Sequence, residues 1–340
     1  MSSLGRPLPG DKVARVSAPV LAIDVGGTKI AIALVDDQGT ILAQTVKPTA
    51  RSTDPEAVFS PCAQGLREVL LQARNLLAVD LDVGIGSAGP INGPAGTVSP
   101  VNITGWREFP IVQRVHQVVA AHITGQVRTR LAGDGHCIAL GEHWLGAGRD
   151  LDTMIGMVLS TGVGGGAVVD NVLFAGSTGN AVHIGHTTVN AFGERCVCGS
   201  YGCVEQYARG PKMVENARTR GWSGEDAKEL CDDARAGNEI ALAVIDEAMQ
   251  YLAAGVAACA TYLDVTHVVL GGGVSKAGDV IFVPLRRHLR RYAVLPYLRE
   301  LTVWPALLEN AGLLGAASLA LSLSGRGPLH AARAGGPVGR

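Results

Sequence analysis

Apolar and polar positions alternate along the chain in a strand-and-helix rhythm. The stretch VLAIDVGG, residues 20–27, is an unbroken apolar run closed by glycines, which predicts a buried strand. TKIAIALVDDQGTILAQTVKP continues it as two alternating strands with a turn at residues 36–39. Helical spacing follows over 55–78, then the strand LDVGIGSAG, the amphipathic helix IVQRVHQVVAAH and the strand GQVRTRLAGD. After Asp134 the scheme restarts with a helix over 136–144 and the strand–turn–strand TMIGMVLSTGVGGGAVVD. A Cys/His/Gly-rich stretch, helices reaching residue 262, the strand THVVLGGG, a helix over 281–292, the strand ELTVWPA and a last helix over 310–323 complete the pattern. Two α/β halves, each opening on a glycine-rich hairpin, predict two lobes around a cleft, where small-molecule sites usually lie.

Composition narrows this picture. The 340 residues are 47% hydrophobic and 17% charged, which excludes a disordered polyelectrolyte. A net charge of -1 argues against nucleic-acid or membrane-surface partners. The Ala- and Gly-rich uncharged runs 248–263 and 310–325 fall short of the roughly 20 residues a bilayer needs. Residues 1–18 lack an apolar signal core, so a cytoplasmic location is expected. In that reducing compartment the seven cysteines read as thiols or metal ligands. Residues 1–18 and 325–340 read as loose ends. No sequence repeat is evident.

The 45 glycines, near twice the usual ~7%, cluster at three strand ends. These are Asp24-Val-Gly26-Gly27-Thr28-Lys29, Ser160-Thr161-Gly162-Val-Gly164-Gly-Gly166 and Gly271-Gly272-Gly273. Glycine lets backbone N–H groups approach phosphate oxygens, and Thr28 and Thr161 add hydroxyl donors. Neither the P-loop nor the dinucleotide spacing is present, and each turn reads as joining strand to strand. Any one of them is compatible with a simple hairpin; three together point to nucleotide phosphates. Asp24, closing an apolar strand, reads as a water-mediated contact to nucleotide-bound Mg²⁺, or as a cap for its own turn.

His186, Cys196, Cys198 and Cys203 supply three thiolates and one imidazole, the closed ligand set of a structural zinc site. Cys62, Cys137, Cys231 and Cys259 sit in apolar helical contexts and read as core residues.

These motifs resemble the ROK family of sugar kinases and sugar-responsive repressors, within the hexokinase/actin/Hsp70 ATPase fold, from about residue 20 to 323. AIDVGGTKI and LSTGVGGGAV resemble the two phosphate motifs, and VVLGGGVS the adenosine-side motif. IGH followed by CxCGxxGCxE resembles the zinc signature, SPVNITGW the sugar loop, and GDGHCIALGE the catalytic stretch. The resemblance implies an α/β, two-lobed actin-like (ribonuclease H-like) fold, each lobe a mixed sheet with helices. The first lobe would span 19–132, with helix 310–323 packing back on it, and the second, with the zinc loop, 133–309. It implies an ATP-dependent hexose 6-kinase, using Mg²⁺ and a structural Zn²⁺, active as a homodimer. Asp134 matches the aspartate that accepts the sugar hydroxyl proton; alone it also suits a helix N-cap. Asn102 and Glu205 match sugar-binding positions. His186 matches a histidine that ligates zinc with one nitrogen and faces the sugar with the other.

Two positions depart from the family pattern. Gly133 stands where Asn usually precedes the catalytic aspartate, and His183 where Glu usually precedes Gly-His. Lost sugar partners imply a hexose other than glucose; water in their place would leave an ordinary glucokinase. The pattern resembles kanosamine 6-kinases, so an aminohexose is expected. A family sugar sensor is the competing reading, but only about twenty residues precede the first glycine turn, too few for a DNA-binding domain.

Overall fold

A computed structural model describes residues 18–329 of the chain. Two five-stranded sheets dominate it. The first has the order β3-β2-β1-β4-β7: β1 (Val20–Val25), β2 (Lys29–Val35), β3 (Ile41–Pro48), β4 (Leu81–Ser87) and β7 (Val127–Gly133). The second has the order β10-β9-β8-β11-β12: β8 (Met154–Leu159), β9 (Val163–Val169), β10 (Val172–Leu173), β11 (His267–Gly271) and β12 (Thr302–Pro305). Each is an antiparallel three-strand meander extended by two parallel strands. The two halves therefore repeat in topology though not in sequence. A two-stranded ribbon, β5 (Ile91–Asn92) and β6 (Thr97–Val98), projects between β4 and the helix after it.

Helices α1 (Pro55–Gln72) and α2 (Ile111–Ala120) cover the first sheet. Asp54 caps α1 by accepting from Glu56 N–H at 3.0 Å, and Pro55 fits the first turn, where its missing N–H costs nothing. α1 ends six residues short of the stretch its periodicity suggests. The second sheet is covered by α4 (Glu205–Ala208), α5 (Gly210–Thr219), α6 (Ala227–Arg235), α7 (Glu239–Leu263) and α8 (Asp279–Tyr292). α7 is long and apolar enough to cross a bilayer by composition alone. Its stripe from Ala241 through Ile245, Leu252 and Val256 to Ala260 is buried in the core of this lobe, which accounts for that composition.

Two helices join the lobes. α3 (Asp134–Leu145) lies on β8 and β9, and α9 (Ala311–Leu321) on β1 and β4, and the two cross each other. Their side chains, with Val20, Ala22, Val168 and Val269, form a third hydrophobic cluster shared by both sheets. The crossing is very close. A Cβ on Gly315 would lie 1.7 Å from the Cys137 carbonyl oxygen, and one on Gly141 2.2 Å from that of Ala311.

The loose ends expected over 1–18 and 325–340 lie outside the described residues except at Ala18 and 325–329. The latter stretch corrects the expectation. The Arg326 N–H donates to Leu321 O at 3.0 Å, and Leu329 is buried in the shared cluster.

Candidate active site and metal centre

The three glycine turns lie at the carboxyl ends of β1, β8 and β11, the last two of them neighbours in one sheet. The first closes the β1–β2 hairpin, with Gly26 N–H donating to Lys29 O at 2.9 Å. Thr49, the residue after β3, braces it, its hydroxyl donating to Gly26 O at 2.7 Å. The second closes the β8–β9 hairpin. The third runs from β11 into a short 3-10 turn and α8, so it joins strand to helix rather than strand to strand. Gly272 there has φ +100°, and a Cβ would meet Leu159 O at 2.3 Å, so glycine is required.

Val274 N–H donates to Leu159 O at 3.1 Å, joining the end of the third turn to β8, and Gly210 N–H donates to Ser160 O at 2.8 Å, joining α5 to the second turn. Between these two turns and α5–α6 opens a cavity of about 750 Å³, lined by Thr161, Gly273, Arg218, Lys228, Asp232 and Arg235 among others. The charged wall on α5 and α6 carries no motif, and sequence reasoning missed it. Of the three glycines 271–273, only Gly273 lines this cavity. Gly164, assigned to the nucleotide with the second turn, instead lines a separate small pocket with Gly133, Asp134, His136 and His183. It is the second residue of β9, where an added Cβ would stand 3.0 Å from Val158 Cγ1 of β8.

Asp134 is the first residue of α3, after Gly133 with φ -66° and ψ 153°. Its Oδ1 accepts the adjacent Gly135 N–H at 2.7 Å, but the N-cap position is held by Gly133 and no side chain caps the helix, so the expected N-cap role falls away. Burial, with a smaller push from Glu205, raises its pKa to about 6 against the pull of that N–H. Asp24 is likewise raised to about 6, by burial and then by the charge of Asp134, with Lys29 pulling back. The charge of Asp134 thus reaches Asp24. A Cβ on Gly312 would lie 2.7 Å from Asp24 Oδ2, so α9 presents bare backbone to that carboxylate.

Asn102 lies against the first turn: a Cβ on Gly27 would sit 2.3 Å from its Nδ2. It is not among the residues lining the pocket of Asp134 and His183. Glu205 opens α4 and reaches the second turn, where its Oε2 accepts the Val163 N–H at 2.9 Å. The buried Glu142, at the far end of α3, was not singled out from sequence. Its carboxylate accepts N–H groups from Ala147 and Leu308 at 2.9 Å and from Leu307 at 3.2 Å, tying α3 to the segment that enters α9.

The His/Cys residues converge. One ligand atom from each of His186, Cys196, Cys198 and Cys203 lies within 4.8 Å of every other. Cys198 and Cys203 sulfurs are 3.7 Å apart, and Cys196 Sγ is 3.7 Å from His186 Nδ1. Tetrahedral zinc with Zn–S bonds of about 2.3 Å sets sulfurs about 3.8 Å apart, so the donor set fits that metal. Gly199 at φ +94° and Gly202 at φ +63° turn the chain back between ligands. With Nδ1 on the sulfur side, His186 keeps Nε2 for the cleft, and its ring meets that of His183 edge-on at 4.8 Å. Cys62, Cys137 and Cys231 are buried and Cys259 half-buried; all seven cysteines are free.

The ROK family model matches residues 20–322, and the chain belongs to the ROK family. It is 33% identical over 317 residues to a glucokinase of Thermotoga maritima, covering 88% of this chain and 96% of that one. It is 35% identical over 303 residues to an N-acetylmannosamine kinase of Citrobacter koseri, covering 88% and 98%. The crystal structure of a ROK glucokinase from Streptomyces griseus in complex with glucose and AMPPNP superposes with a TM-score of 0.73, at 32% identity over 89% of this chain and 99% of that one.

Proposed function

We propose that this chain, a sugar kinase by family, transfers the γ-phosphoryl group of MgATP to the 6-hydroxyl of a hexose other than glucose, best matched by an aminohexose such as kanosamine. The observation that carries the reading is the position of Asp134. It lines the small pocket with Gly133 and His183, and its charge reaches Asp24 at the first glycine turn. The sugar oxygen bonds to the γ-phosphorus as the bond to the ADP oxygen breaks, and Asp134 takes the hydroxyl proton. The cavity beside the second and third turns suits the nucleoside, with Gly26, Gly27, Thr28 and Lys29 across the cleft on the phosphates. Asp24 suits a water-mediated hold on the magnesium of MgATP.

His186, Cys196, Cys198 and Cys203 would hold zinc. A closed four-ligand site supplies local folding energy rather than an activated water. That loop then carries Glu205 and the sugar-facing edge of His186. By family resemblance the enzyme is cytoplasmic and a homodimer, which sizing of the purified chain checks.

The pocket favours a different sugar because it presents imidazole at His183 and no side chain at Gly133. A second reading, an ordinary glucokinase, has the Thermotoga and Streptomyces relatives in its favour. ATP turnover against glucose, mannose, N-acetylated hexosamines and free aminohexoses decides. A tenfold or greater preference in kcat/KM for a non-glucose hexose supports the altered pocket. Glucose as the best substrate, with Gly133→Asn/His183→Glu unchanged in preference, removes it.

A further inference from the structure

His136 lines the same pocket as Asp134 and His183 and takes no part in the proton transfer just described. It is 3% exposed, and its backbone cannot retreat. A Cβ on Gly166 of β9 would lie 2.6 Å from His136 Cα, and one on Gly135 2.6 Å from Gly165 N, so the first turn of α3 is pressed directly onto β9.

The orientation of the ring follows from its neighbours. Its Cδ2 edge faces Gly166, where an added Cβ would stand 2.9 Å away. Phe174 runs beside that strand, donating its N–H to Ala167 O at 2.9 Å. Nε2 therefore points into the protein, where it is buried with no partner at hydrogen-bond geometry. Nδ1 points the other way: a Cβ on Gly133 would stand 3.3 Å from it. The space that a side chain at 133 would fill is thus flanked by an imidazole nitrogen.

We propose that His136 is a specificity-determining residue, whose Nδ1 accepts a hydrogen bond from a hydroxyl or amine on the sugar ring in the space left by Gly133.

Burial, with a smaller contribution from His183, pushes the His136 pKa down to about 4, while the backbone at Ala181 and Phe174 pulls the other way. The ring is neutral at physiological pH and so has one N–H and one lone pair. Of these, the Phe174 backbone lies beside β9 on the Nε2 side of the ring and favours the proton there. That leaves Nδ1 as an acceptor toward the pocket. A glycine at 133 and a histidine at 136 then act as one device, since a larger residue at 133 would have to displace the ring. The substrate class that fits is a hexose or aminohexose with a donor at that ring position; a deoxy or fluoro substituent there has no proton to give.

This inference rests on the sugar-kinase reading, and its test separates the two. Turnover of any hexose by the wild type establishes the reading itself. A panel of monodeoxy and monofluoro analogues of the preferred hexose then reads His136. The wild type is expected to lose tenfold or more in kcat/KM for a change at one ring position. His136→Phe should flatten that discrimination to within threefold, with the KM for ATP unchanged. His136→Asn, whose amide oxygen can stand where Nδ1 stood, should restore it. An equal loss for every sugar in His136→Phe would show a purely structural role and overturn the proposal. If the variants do not fold, the ¹⁵N resonances of the wild-type ring serve: titration with the preferred sugar alone should shift His136 Nδ1, and no shift overturns it.

Discussion

Glu205 Oε2 accepts the Val163 N–H at 2.9 Å and so ties the end of the His/Cys loop to the second glycine turn. Glu205 follows Cys203 by two residues, with the buried Val204 between them. The carboxylate assigned to the sugar therefore also sets the backbone of a turn assigned to phosphate. Hydrogen bonds to a charged group contribute about 1.5–3 kcal/mol.

Glu205→Ala is accordingly expected to raise KM for sugar and for MgATP together, each by about tenfold. Glu205→Gln keeps an oxygen for Val163 and should spare the nucleotide KM while weakening the sugar. Steady-state kinetics with each substrate varied in turn check this. An effect of Glu205→Ala on sugar alone would mean that the turn holds its shape without it.

Metal loss should travel along the same link. Cys198 is exposed while Cys196 and Cys203 are buried, so a chelator meets the site from the Cys198 side. One zinc per chain is expected by elemental analysis. Cys198→Ala should lose it, lower the melting temperature and weaken sugar binding, because the ligand set supplies local folding energy. Wild-type protein prepared without chelator and found free of zinc would contradict this.

What was legible in the sequence follows from how local each signal is. Glycines at strand ends, Cys/His spacing and the alternation of β2 and β3 are short-range patterns, and they carried the two-lobed fold. The third turn was misjudged because Gly271–Gly273 looks the same whether a strand or a helix follows; Gly278 and Asp279, which start α8, decide it. The wall formed by Arg218, Lys228 and Arg235 was not legible, since charges on an amphipathic helix read as solvated until the facing turn is known. His136 carries no signal of its own within GDGHCIALGE, because its meaning depends on Gly133 and Gly166, which only the fold brings to its two edges. The repeat between the sheets is topological, with no period in sequence to betray it.

The paired carboxylates predict a pH dependence whose sign is fixed. Asp24 and Asp134 have folded-state pKa values of about 6, above the ordinary carboxylate value. Their contribution to stability is fully present at low pH, below the unfolded value, and is lost as pH rises through about 6. Asp134→Asn removes one of the two charges. Its melting temperature should exceed that of the wild type by about 2–5 °C at pH 8, with a smaller gain at pH 5. Its phosphoryl transfer should fall by several orders of magnitude. In the wild type, kcat/KM for sugar should rise with pH through an acid limb near 6, as the Asp134 carboxyl ionises. Near wild-type turnover in Asp134→Asn would remove this residue from the catalytic assignment.

The crossing of α3 and α9 gives the most severe expected loss. A Cβ on Gly315 would lie 1.7 Å from Cys137 O, 2.5 Å from Cys137 C and 2.8 Å from its Cα, all backbone atoms. No rotamer change can make room, so one helix must move. Helix propensity alone would favour Gly315→Ala by about 1 kcal/mol. Overpacking a rigid contact costs about 1–3 kcal/mol, and a backbone clash belongs at the upper end or beyond. The net expectation is destabilisation by about 2 kcal/mol or more, read as a lower urea midpoint. Because α3 begins with Asp134 and α9 passes Asp24 at Gly312, the displacement should also separate the two carboxylates. Residual activity in folded Gly315→Ala should therefore fall at saturating sugar and MgATP, a kcat effect. Gly325→Ala, at φ +67° with nothing within 4 Å of its added Cβ, is the contrasting case. It should lose a little stability from backbone strain and keep full kcat. If Gly315→Ala matches the wild type in stability and kcat, the helix crossing is looser than its geometry shows.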